Sequence, residues 1–143
     1  MMQYSRNGLA LTESFEQCRL TPYRDEGGVW TNGWGNTHGV VPGVEITQQK
    51  ADADLLANVQ DAINCVNRVV TVTLSQNEFD ALVDLTFNIG VGSFAGSTLL
   101  KKLNRQDYLG ASKEILRWDL VKGKESAGLF RRRHEDQRLF DSL

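Results

Sequence analysis

The sequence predicts an α+β fold in which one long helix joins a small N-terminal β-sheet lobe to a larger helical lobe. Three stretches carry that expectation. Val29 to Gly35 alternates bulky Trp30, Asn32 and Trp34 with small Val29, Thr31 and Gly33 behind the turn Glu26-Gly27-Gly28, the period-two pattern of a strand leaving a hairpin. Behind Thr47, a good N-cap, Ala51, Leu55, Val59, Ala62 and Val66 recur at helical spacing over about 18 to 20 residues. From Ser75 onward, helical patterns follow one another across short polar or glycine turns. A length of 143 residues suits one domain with a real core, and 41% hydrophobic with 24% charged residues is the balance of a globular chain.

Taken in order, Ser5 or Asn7 can cap a first helix whose apolar stripe is Gly8, Leu11, Phe15 and Cys18, with Pro22 expected to stop it. The small face of 29–35 leaves room beside Thr31, and a third short strand is expected around His38 to Val41, closed by Pro42-Gly43. Ser75 and Glu78 form a capping box flanked by the apolar pair Leu74 and Phe79, which assigns the Glu78 carboxylate to a backbone partner. That helix ends at Asn88-Ile89-Gly90, where Gly90 can take the left-handed cap. Short helices follow Ser97 and carry Tyr108, Ala111, Ile115 and Trp118. The loop LVKGKESAG then leads to a last helix with Phe130, Arg133, Gln137 and Phe140 on one side.

Net charge is −2, yet residues 1–98 hold 5 Lys+Arg and 11 Asp+Glu (5 − 11 = −6) and residues 99–143 hold 11 and 7 (11 − 7 = +4). Such asymmetry suits the gripping of an anionic polymer, and scattered surface charge produces the same count. The basic residues lack interleaved aromatics, which argues against nucleic acid. No apolar run approaches the roughly 18 residues of a membrane span, and GLAL is too short for a signal-peptide core, so a cytoplasmic start is expected. Cys18 and Cys65 have no metal-ligand spacing and are read as free thiols, and His38 and His134 have no companion ligands, so neither metal nor cofactor is expected.

The stretch from Glu13 to His38 carries the chemistry. Glu16, Asp25 and Thr31 stand 9 and 6 residues apart (25 − 16 and 31 − 25), a helix-borne acid followed by a carboxylate and a hydroxyl on a hairpin. Cutting a glycosidic bond needs one carboxyl that donates a proton to the leaving oxygen and a second group across the bond that activates or positions water. Glu16 falls at the edge of the first helix's apolar stripe, the setting of a general acid, although a solvated helix glutamate has the same address and Glu13 competes. The three arginines 131–133 read most simply as a solvated face, and at least one can point back toward these carboxylates. SFAGST lacks the G-x-S-x-G of a nucleophilic serine.

With Glu-x8-Asp-x5-Thr inside GVWTxGWGxT, then FDALVDLTFNIGVGSFAGSTLL, then GLFRRRxxxxxLF, nearly the whole chain resembles the phage lysozymes of glycoside hydrolase family 24, the T-even phage type. The resemblance implies a single lysozyme-like catalytic domain over residues 1–143. Its sheet lobe would cover roughly 13–46, its helical lobe 67–143 plus the N-terminal helix, and helix 47–66 would connect them. It implies a muramidase cutting peptidoglycan between N-acetylmuramic acid and N-acetylglucosamine, with Glu16 as general acid and Asp25 and Thr31 holding the water. Asn88 would face the glycan and Arg132 would pair with Glu16. It further implies a monomer that waits in the host cytoplasm until holin-type lesions release it to the wall.

Where the family commonly reads T-I-G-Y-G-H-T, this chain has Asn32 for the isoleucine and Asn36 for the histidine, which implies a lost charged contact between loop and body, with His38 as a possible substitute. The family's glutamate in the last helix is shifted or replaced, with Glu135 and Asp136 both close by. A lytic transglycosylase and a wall-binding module without catalysis are the alternatives, and the second would have no need to keep Glu16, Asp25 and Thr31 together.

Overall fold

The computed structural model describes residues 1–25, 27–121 and 123–143. Helix α1 (Arg6–Phe15) leads to the antiparallel pair β1 (Arg19–Arg24) and β2 (Trp30–Gly33), and the long α2 (Gln48–Val69) follows. The helical lobe comprises α3 (Gln76–Ile89), α4 (Val91–Ala95), α5 (Thr98–Asn104), α6 (Tyr108–Ile115) and α7 (Ala127–Asp141). Between α6 and α7 a two-residue hairpin, β3 (Leu120–Val121) with β4 (Lys124–Glu125), replaces the expected loop, whose Lys122 lies outside the described residues. A small sheet, a long connecting helix and a helical lobe are thus the α+β architecture the sequence predicts.

Helix α3 is the centre of the core. Every residue from Phe79 to Thr86 is buried, so the helix is enclosed on all sides. Leu55, Val59, Ala62, Cys65 and Val66 of α2 pack against it, with Phe94, Leu99, Leu103, Ala111, Ile115 and Phe140 from the later helices. The α2 stripe is the predicted one, capped by Thr47, whose hydroxyl accepts from Lys50 N at 3.1 Å. Ser75 and Glu78 close a complete capping box on α3. Gly90 ends that helix at φ 98°, ψ 149°, a positive φ suited to glycine, but with an extended ψ in place of the expected left-handed cap.

Two expectations for the first forty residues fail. Helix α1 ends at Phe15, with Glu16 already extended, and Pro22 lies inside β1. The strand tolerates a residue without an N–H there because its register shifts between Arg19 and Tyr23. Cys18 therefore lies beyond the helix and does not continue its stripe. The buried residues of α1 are Gly8 and Thr12, and Leu11 and Phe15 are only half-buried. The sheet has two strands: His38 to Val41 forms no strand, and the loop closes on a single bridge between Asn32 and Asn36. Cys18 and Cys65 are free thiols.

Side chains that leave this loop tie the sheet to α2. Trp34 Nε1 donates to Asp52 Oδ1 at 2.8 Å, a bond that with one from Gln48 holds the Asp52 carboxyl below its usual range. Asn36 is buried, donates to Asn32 Oδ1 at 3.1 Å and to the His38 carbonyl at 2.9 Å, and accepts from Asn58 Nδ2 of α2 at 3.1 Å. Where a charged loop-to-body contact was thought lost, a neutral amide contact stands, and His38 is exposed.

Candidate active site

Glu16 is the residue at which α1 ends. Its backbone N–H still reaches the carbonyls of Thr12 and Glu13 at 3.2 and 3.3 Å, while its φ of −101° and ψ of 138° turn the chain toward β1. The side chain therefore leaves the helix end and enters a groove of about 940 Å³, lined among others by Phe15, Asn88, Trp118, Leu129 and Arg132. Glu13, one turn earlier, is not among the lining residues.

Glu16 is held from the far side of the groove. Arg132 Nη1 donates to Glu16 Oε1 at 2.9 Å, the Arg132 side chain being 5% exposed and that of Glu16 24%. The same guanidinium donates through Nε and Nη2 to both oxygens of Asp84, at 3.1 and 2.8 Å. Burial alone would lower the Arg132 pKa, but Asp84 and then Glu16 outweigh it and raise it. Asp84 is 0% exposed and also accepts from Thr12 Oγ1 at 2.8 Å, and Thr12 in turn shares a 2.6 Å hydrogen bond with the Tyr4 hydroxyl. Burial would push Asp84 up, yet the bonds from Arg132, its charge and the bond from Thr12 hold it below the usual carboxylate range.

Asp136 shows the opposite behaviour. It is 0% exposed, and burial and the charge of Asp84 raise its pKa well above the usual value. Neither Asp136 oxygen has a hydrogen-bond partner among the described residues, so no hydrogen bond offsets the burial that disfavours its charged form. Arg133 Nε lies 3.3 Å from Asp136 Oδ2, near enough to attract but off hydrogen-bonding geometry, and burial lowers the Arg133 pKa. Arg133 Nη2 donates to Asn88 Oδ1 at 2.9 Å, which fixes the amide of an otherwise exposed residue at the groove.

The structure thus brings Glu16, Asn88 and Arg132 to one groove. Asp25 and Thr31 do not line it but sit on the hairpin, where Tyr23 pairs with Thr31. Asp25 is exposed at the turn, its Oδ1 accepting from Val29 N at 2.9 Å and its carbonyl from Gly28 N at 2.9 Å; Glu26, expected in the same turn, lies outside the described residues. Thr31 is 3% exposed and donates to the Val29 carbonyl at 2.9 Å. The link between hairpin and groove is Gly35, four residues beyond Thr31: with φ +81°, it lies so close that a Cβ there would be 3.5 Å from Glu16 Oε2. Sequence reasoning missed Asp84, Arg133 as a buried anchor, and Gly35 as a neighbour of the acid. The available signal was Asp80 and Asp84 at i and i+4 in a helix otherwise apolar all round, which must face something polar.

The phage lysozyme family model matches residues 13–136. The endolysin of Acyrthosiphon pisum secondary endosymbiont phage 1 is 42% identical, covering 99% of each chain, and that of Salmonella phage P22 is 38% identical, covering 98% of this chain and 99% of its own. Further relatives carry the name SAR-endolysin. Among solved structures, the muramidase domain of SpmX from Asticaccaulis excentricus superposes with a TM-score of 0.93 at 33% identity, with 100% of both chains covered. With the family model matching most of the chain and endolysins matching it over nearly its full length, the chain belongs to the phage lysozyme family of cell-wall-hydrolysing enzymes.

Proposed function

We propose that this lysozyme hydrolyses the β-1,4 bond between N-acetylmuramic acid and N-acetylglucosamine in peptidoglycan, with Glu16 as the general acid and Asp25 and Thr31 holding the attacking water. Asn88 contacts the glycan, Arg132 keeps Glu16 in place, and residues 1–143 act as one monomeric catalytic domain. The observation that supports this reading best is the placement of Glu16: its carboxyl is gripped by Arg132 on one side and lies against Gly35 of the sheet lobe on the other. A proton donor so fixed can meet a leaving oxygen in the groove while the hairpin approaches the sugar from the other lobe.

Water held by the hairpin attacks from the face away from Glu16, which gives inversion at the anomeric carbon. Mass spectrometry of digested walls should find reducing-end muramic acid, one water heavier than the anhydro form. NMR early in the reaction should show the α anomer first. Anhydro-muramyl ends as the main product would make the enzyme a transglycosylase. An initial β anomer would instead keep hydrolysis but require a covalent intermediate.

The proposed route to the wall runs from the host cytoplasm through holin-type lesions. No helix among the described residues is long and apolar enough to cross a membrane. Lysis by the chain expressed without a holin, and blocked by inhibiting Sec export, would favour the route by which SAR-endolysins are secreted.

A further inference from the structure

Glu16 accepts one side-chain hydrogen bond among the described residues, that of Arg132 Nη1, so the direction of its carboxyl depends on the direction of a guanidinium. A guanidinium is planar and its N–H groups diverge at fixed angles, so two bonds on one edge settle where the remaining nitrogen points. Both edge bonds are donated to Asp84, at 3.1 Å from Nε and 2.8 Å from Nη2. Phe15 packs on the guanidinium, its ring centroid 5.4 Å from Cζ. Asp84 cannot swing, because it belongs to the fully buried part of α3 and its Oδ1 is held by Thr12 at 2.8 Å. A continuous series of bonds therefore runs from the core to the groove, Tyr4 to Thr12 to Asp84 to Arg132 to Glu16.

We propose that Asp84 is a positioning residue for hydrolysis, acting on Glu16 through Arg132: the carboxylate inside α3 sets the aim of the acid that stands in the groove. This rests on the reading of Glu16 as the general acid. The competing role for Asp84 is that of a mere counter-ion that allows Arg132 to be buried. The two differ in kinetics. A counter-ion affects folding alone, whereas a positioning residue affects kcat at constant substrate affinity and only while Arg132 is present to transmit the effect.

The test is a double-mutant cycle on soluble, uncrosslinked glycan chains, following kcat, KM and thermal unfolding for Asp84→Asn, Arg132→Gln and the pair. Misaiming an acid by a fraction of an ångström to 1 Å should lower kcat for Asp84→Asn by about 10- to 100-fold with KM within about twofold of wild type. The pair should be no slower than Arg132→Gln alone. If Asp84→Asn fails to fold because Arg132 is left uncompensated, the pair removes both charges and restores folding, and the comparison with Arg132→Gln still decides. A folded Asp84→Asn with wild-type kcat, or a pair whose loss is the product of the two single losses, overturns the proposal and leaves the general acid in place. A fully lytic Glu16→Gln would overturn both and is recognised by that variant alone.

Discussion

The buried acid Asp136 offers a test in which the two possible outcomes have opposite signs. Replacing it with asparagine keeps the shape of the protonated acid and removes the proton. In the fold its pKa is raised by burial and by the charge of Asp84, with Arg133 opposing. A raised folded pKa means that its contribution to stability is complete below the unfolded value of about 3.9 and is lost as pH rises toward the folded pKa. While the unfolded chain is ionised there and the fold is not, each pH unit removes about 1.4 kcal/mol, or about 3 to 6 °C of melting temperature for a chain of this length. Asp84 does not obscure the window: its folded pKa is depressed, so its contribution is present above about 3.9 and lost below it. Melts of wild type and Asp136→Asn between pH 4.5 and 8 should therefore diverge, the variant gaining on wild type as pH rises, and converge at the acid end. If Asp136 is instead an ionised partner of Arg133, the substitution strands a buried cation and costs about 3 to 5 kcal/mol at neutral pH. Parallel curves, or a variant that is less stable throughout, would refute a raised pKa for Asp136.

Glu16→Gln should lower wall-lysing activity by about 10² to 10⁴-fold or more in a turbidity assay while leaving the melt intact, and activity lost in Glu13→Gln but kept in Glu16→Gln would move the acid to Glu13. Gly35→Ala forces a side chain onto a φ of +81° and sets its Cβ 3.5 Å from Glu16 Oε2, so it should cost about 1 to 2 kcal/mol and slow lysis, whereas an unaffected rate would show that the loop can retreat from the acid. Gly8→Ala places a Cβ 2.8 Å from Asp80 Cγ where α1 meets α3 and should destabilise by about 1 to 3 kcal/mol in denaturant unfolding. Asn58→Ala removes the 3.1 Å bond to Asn36 and should cost about 1 kcal/mol, by an amount that does not change between pH 5 and 8 because both groups are neutral.

How much could be read from the residues depended on the range of the forces involved. The α2 stripe and the Ser75 capping box are satisfied within a few turns of helix, so spacing alone located them. The end of α1 was decided elsewhere. Nothing in the residues after Phe15 breaks a helix before Pro22, but Arg19 and Tyr23 to Arg24 are claimed by β2, and a pairing with strand residues up to fourteen positions away overrode local propensity. For the same reason His38 to Val41 reads as a strand and is not one: Asn36 spends its amide on Asn32, His38 and Asn58, which closes the loop before a third strand can pair.

The last helix shows where a charge pattern misleads. Three successive arginines suggest a solvated face, and Arg131 is exposed, but the 100° step of the helix carries Arg132 and Arg133 inward, where they are 4% and 0% exposed. Burying two cations side by side is tolerable only against anions already in place, and α3 supplies Asp84, whose pKa is held low, while burial pushes that of Asp136, one turn along α7, up. On the groove side the same Arg132 guanidinium also donates to Glu16, at 2.9 Å. The buried charges of α3 and α7 thus reach the groove through Arg132, and under the proposed mechanism, in which Glu16 gives up its proton, Arg132 is the cation already beside it. Removing the Arg132 side chain should therefore disturb folding and turnover together, through Asp84 for the first and Glu16 for the second, and only variants that neutralise both buried partners can separate them.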